Sequence, residues 1–311
     1  MRNYEIHIHG LATKSGSISV AALLTFVQEL CQAAQRGLRL VLEGESVRSG
    51  PAPDWLAAAT DFVLTGLRRG STRLDMEAPE LGETTDDLLK QEDLWRSLPL
   101  PTDTALTVLQ KACMTTAAQD ETSEFIDAGV LQSVVGFGSF IGKYAQSVSI
   151  RASVGAESFA IDAGLIEKAT ALEHRTPEPR QLAVSGCLDI IRHTAGQFVL
   201  QTGPSQRLRG RVHPEFLGRE DLRGLWGKKA TVKGTVHFKP SGTAHFIDAD
   251  VIAPAVNGDE IFTQVPVVRQ RELQFAEHAT RLVPAPGLAA ELWGKWPGDE
   301  PIETLLAELR G

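Results

Sequence analysis

The chain has 311 residues, 42% hydrophobic and 23% charged, proportions of a globular protein that exclude disordered, collagen-like and coiled-coil chains. Its 31 Lys and Arg stand against 39 Asp and Glu, a net charge of -8; a protein that coats nucleic acid with its whole surface is excluded, a local basic patch is not. The length suits about two domains, and three scattered cysteines, Cys31, Cys113 and Cys187, make neither a disulfide framework nor a thiolate metal cluster.

Residues 4–9 alternate as Tyr-Glu-Ile-His-Ile-His, the period of a strand. Ser17 or Ser19 then caps a helix to about residue 42, with Val20, Leu23, Leu24, Val27, Leu30, Cys31 and Ala34 as its apolar stripe. Asp54 caps a short helix ending at 59. Residues 62–67 and 72–77 form a hairpin turning at Gly70, so the chain opens β-α-β-β. The acidic, Pro-flanked stretch 79–101 reads as a surface connection. Helices at 103–119 and 123–144, strands at 148–152 and 158–161 and a helix at 163–172 complete an α/β domain over residues 1–178.

A second domain is expected over 179–255. Strands at 184–191, 197–201 and 206–212 precede a helix opened by Pro214 and closed by Gly227. The long strand 229–239 puts Ala230, Val232, Val236 and Phe238 on one face, and Pro240-Ser-Gly242 turns the chain into a fifth strand, 243–252. This β-β-β-α-β-β order resembles the OB-fold, a five-stranded barrel. The resemblance covers about a quarter of the chain and rests on element order alone. It implies an α+β protein, an α/β region followed by an OB-like barrel, with a C-terminal tail, 256–311, ending in a helix at 300–309.

The candidate chemistry lies mainly in the barrel. Between residues 180 and 250 there are eleven Lys and Arg and six Asp and Glu. Arg207, Arg209 and Arg211 share one face of the third strand, and Lys229, Lys233 and Lys239 one face of the fourth. Such a face can track a nucleic-acid backbone or dock an acidic partner. Stacking aromatics are few: Phe198 and Phe246 are the candidates within strands, and either suits a core. His245, Asp248 and Asp250 end the fifth strand, with His237 across the hairpin; alternation sends His245 away from the two aspartates, so the group reads as an exposed polar strand end, not a metal site. His7 and His9 share a face but have no acidic or cysteine partner at metal-ligand spacing. Residues 136–143 miss both nucleotide-loop patterns, and Ser185 and Cys187 lie outside any nucleophile elbow.

The sequence therefore predicts a non-enzymatic binding protein whose barrel contacts nucleic acid, expected to be single-stranded, through those six basic residues. The alternative is a protein-interaction or regulatory subunit, an antitoxin-like partner of an enzyme in a bacterial module. No cofactor or metal is expected. The chain offers no signal-peptide core and no run of 18 apolar residues, so a cytoplasmic protein without membrane association is expected.

Overall fold

The alternating start becomes β1 (Arg2–His9), which buries Tyr4, Ile6 and Ile8 and turns Asn3, Glu5 and His7 to the other face. The computed structural model describes residues 1–11, 17–68, 72–89, 98–153, 158–192, 196–203, 206–212, 224–265 and 267–268. Helix α1 (Val20–Glu43) follows, its first turn capped by Ser19, whose hydroxyl accepts from the Ala22 N–H at 3.2 Å. It buries Phe26, Leu30, Ala33 and Leu38 and stops at Gly44, whose φ of 94° is a left-handed conformation that favours glycine. In α2 (Asp54–Ala59), Pro53 holds the cap position and Asp54 lies inside the first turn, a one-residue change from expectation.

β2 (Val63–Arg68) and β3 (Thr72–Ala78) form the expected hairpin; its tip, 69–71, lies outside the described residues. The stretch read as a surface connection holds two short helices, α3 (Leu81–Thr84) and α4 (Asp86–Leu89), and Leu81 is fully buried. Thr104 caps α5 (Ala105–Ala118) reciprocally with Thr107. The helix expected over 123–144 is shorter: Asp127 starts α6 (Ala128–Gly136) by accepting from Val130 N–H at 2.8 Å, and a 3-10 turn follows. β4 (Ser147–Ala152), β5 (Ser158–Asp162) and α7 (Ala163–Arg175) complete this half. The sheet runs β2-β3-β1-β4-β5, antiparallel throughout. β3 inserts between β1 and β2, the arrangement of a split β-α-β unit.

The second half is a closed five-stranded barrel: β6 (Arg180–Arg192), β7 (Gln197–Gln201), β8 (Arg207–Val212), β9 (Lys229–Phe238) and β10 (Ala244–Pro254). Around the barrel the order is β6-β7-β8-β10-β9 and back to β6; β8 and β10 pair in parallel and the other neighbours antiparallel. Val184, Leu188, Leu200, Val232, Val236 and Ile247 fill its core, separate from the core of the α/β half. Gly210 admits the Phe198 ring at close range: a side chain there would run into that ring and Ile247.

The two halves together belong to one compact unit, Met1–Gln270; residues 271–311, with the helix expected at 300–309, lie outside the described residues. The helix expected from Pro214 lies outside them up to residue 223. Among the described residues no helix is long and apolar enough to cross a membrane.

Candidate nucleic-acid interface and a polar seam

The arginines of β8 alternate with buried Leu208, Gly210 and Val212, so Arg207, Arg209 and Arg211 do leave the barrel on one side. They do not continue into the lysines of β9. β10 lies between the two strands, and its Asp248 stands opposite Arg211 on one side and Thr235 on the other.

Three of the six basic residues turn toward the α/β half. The Arg209 guanidinium lies against Gly44, where an added Cβ would sit 3.1 Å from its Cζ; this is the C-terminal end of α1, which attracts a cation. Arg211 donates to Asp248 Oδ1 at 2.7 Å and lies 3.0 Å from Glu45 Oε2. The Lys239 ammonium donates to the Thr122 carbonyl at 2.8 Å. Burial lowers the Lys239 pKa; the Glu124 charge opposes this and Arg209 adds to it.

These residues belong to a seam between the halves that sequence reasoning missed. At its centre Phe246 is 1% exposed, with the Arg211 guanidinium 5.9 Å from its ring centre and the His237 and His245 rings each 6.3 Å away. Beside it a cavity of about 340 Å³ is lined by Glu45 and Ser46 after α1, Asp127 at the start of α6, and Arg211, His237 and Asp248 of the barrel. His237 Nε2 lies 3.2 Å from Asp248 Oδ2. His245 joins the same cavity, 4.0 Å from Asp127. Its expected opposition to Asp248 is overturned by a register shift between Ala244 and Phe246: the extra residue cancels one alternation. Asp250 stays outside and accepts from Gln181 at 3.2 Å.

The seam perturbs its titratable groups. Burial, reinforced by Asp248 and opposed by Arg211 and His237, pushes the Glu45 carboxyl up to about 7. Burial also raises Asp127, against hydrogen bonds from Val130 and Ser46. Burial pulls His237 down, but its bond to Asp248 and the charges of Glu45 and Asp248 outweigh this and raise it. For Asp248 burial is outweighed by His237 and Arg211, and its pKa falls.

The other three basic residues stay outside. Lys229 and Lys233 are exposed, Lys233 near Asp259, which accepts from Thr231 at 2.6 Å. The pairings Lys229 with Cys187, Cys187 with Gln201 and Gln201 with Arg207 draw one transverse row across β9, β6, β7 and β8. With neighbouring strands about 4.8 Å apart, that row spans roughly 14 Å. Trp226 stands at its β9 end, 67% exposed, its indole N–H donating to the Asp189 carbonyl at 2.8 Å. Arg207 lies 3.8 Å from the Asp189 carboxylate, and Lys228 is exposed. Backbone bonds from Gly227 to Leu188 and from Leu188 to Lys228 tie the Trp226 segment to β6. Sequence reasoning had assigned Trp226 to a helix end and passed over it. Phe198 and Phe246 are both buried and offer no stacking surface.

The remaining candidates lie elsewhere in the fold. His7 and His9 have ring centres 3.9 Å apart on the polar sheet face, and His9 contacts Ser149. Residues 136–143 are a helix end and turn in which Phe137 and Phe140 are buried. Ser185 is buried beside Thr231, and Cys187 is half-buried. No family model, curated protein or solved structure matches the chain.

Proposed function

We propose that the barrel is an OB-like module and that its Lys229–Arg207 row, with Trp226, binds single-stranded nucleic acid. The observation that carries this reading is Trp226: a large exposed ring whose N–H donates to the Asp189 carbonyl, two residues before the exposed Lys228 and three before Lys229, with Arg207 3.8 Å from the Asp189 carboxylate. A stacking surface beside cations is what a sequence-tolerant single-strand binder needs. The barrel supports the reading as well. Its strand order, with a parallel contact between third and fifth strands, agrees with an OB-like barrel, and the row crosses the second and third strands, where such barrels bind oligonucleotides. The mechanism is charge neutralisation of phosphates combined with stacking, with little base readout. Arg209, Arg211 and Lys239 drop out of the proposed contact set because they face the α/β half.

Fluorescence polarisation with labelled single-stranded DNA, single-stranded RNA and duplex DNA tests this at about 50 and 200 mM salt. Expected is binding to a single strand, weaker at the higher salt and weaker for duplex. Absence of binding at low salt overturns the reading.

One observation favours a second reading, a protein-interaction subunit. β2 is an edge strand, and its Val63, Leu64 and Leu67 are 41–49% exposed. An open apolar edge accepts an added strand. Amide exchange tests it: β2 amides protected only in the presence of a partner support this role, and amides unprotected in every complex of the chain oppose it.

A further inference from the structure

The seam holds a donor set that nucleic-acid binding does not use. Glu45, His237 and Asp248 each offer a ligand atom, and these atoms lie within 4.8 Å of one another. We propose that they form a binding site for a divalent transition ion, Zn²⁺ or Mn²⁺, bridging the α/β half and the barrel. One imidazole with two carboxylates suits ions of this class.

Two of the three donors already stand at the spacing an ion requires. Donors held about 2.0–2.2 Å from a metal lie roughly 3–3.6 Å apart, and His237 Nε2 and Asp248 Oδ2 are already 3.2 Å apart. Arg211 holds the other oxygen, Oδ1, at 2.7 Å, which fixes the carboxylate plane and presents Oδ2 to the imidazole. Ligating carboxylates are commonly oriented in this way by an outer hydrogen bond. Glu45 completes the set: its Oε2 is buried and, although 3.0 Å from Arg211, makes no hydrogen bond.

A second feature points into the same cavity. Ser46 is 3% exposed and lines it, and its Oγ is buried without a hydrogen-bond partner. Buried polar atoms are rarely left unpaired, and where one lacks a protein partner a bound water or ion commonly serves it. Three protein donors leave the ion with open positions; a water on it has room in the 340 Å³ cavity and would give Ser46 Oγ a partner. Because Glu45 comes from one half and the other two donors from the barrel, the ion would tie the halves together.

Isothermal titration of the EDTA-stripped full chain with ZnCl₂ and, separately, MnCl₂ tests the proposal. One ion per chain is expected, with a rise in Tm. Glu45→Gln and His237→Gln should each weaken binding at least tenfold, while a His7→Ala/His9→Ala variant binds as wild type does. No binding of either ion to the wild-type chain at millimolar concentration overturns the site, whatever the variants do. So does binding that survives both seam variants, or that disappears with His7 and His9.

Discussion

At the scale of single residues, two arginines four residues apart on β8 should behave in opposite ways. Arg211 bridges Glu45 and Asp248 in the seam. Removing one partner of a buried pair leaves charge uncompensated and costs about 3–5 kcal/mol, so Arg211→Ala should lose roughly that much in denaturant unfolding. Arg207 lies 3.8 Å from Asp189 at the surface, where such pairs are worth about 0–1 kcal/mol. Arg207→Ala should leave stability nearly unchanged. Glu45 sets a pH dependence. Its carboxyl is raised from 4.5 to about 7, so the folded chain holds a proton that the unfolded chain releases. Its contribution is therefore full below about 4.5 and is lost as pH rises toward 7, a loss on the order of 3 kcal/mol. His237, also raised, loses its contribution in the same direction, above its unfolded value of 6.5. Asp248, lowered, acts oppositely and loses its contribution in acid, below 3.8. In EDTA, unfolding free energy measured from pH 5 to 8 should fall for wild type, and Glu45→Gln should flatten the slope.

At the scale of elements, Asp127 caps α6 and also receives the Ser46 N–H at 3.1 Å. Asp127→Ala should cost about 1–2 kcal/mol, read as a lower denaturant midpoint, and Asp127→Asn should restore part of it. Elements of strong period were legible in the sequence. The span of α1 and the alternation of β9 emerge where expected, but the α1 stripe is turned: Val20 and Leu24 are exposed, and Ala22, Phe26 and Ala33 join Leu30 and Ala34 on the buried face. The carboxyl cap that starts α6 late was not, since a run of apolar residues from 128 hides where the helix begins. The candidate site was legible only in part. Alternation correctly put the three arginines on one side of β8, yet it could not tell that β10 separates them from the lysines of β9. That depends on strand order, which is non-local. Nor could it find the bulge at His245, because one extra residue reverses every later facing without leaving a mark in composition. Trp226 had a local signal, an aromatic separated by Gly227 alone from the pair Lys228-Lys229; what hid it was its placement at the end of a helix.

At the scale of the whole molecule, the two halves divide the basic residues between two tasks. The seam takes Arg209, Arg211 and Lys239 to join barrel and α/β half, and the outer row keeps Lys229 and Arg207 beside Trp226. With a net charge of -8, the attraction for a polyanion proposed above is confined to that local surface. The measurement that tests this division most directly is the affinity of the full chain for a labelled single strand, across a salt series, for wild type, Trp226→Ala and Arg207→Ala/Lys229→Ala. Loss of one stacked base costs about 1–3 kcal/mol, so Trp226→Ala should bind roughly 5- to 150-fold more weakly with the salt slope unchanged. The double variant should bind more weakly with a slope shallower by about 0.7 for each lost phosphate contact. Wild-type affinity in both variants, with all three folded, would contradict the account.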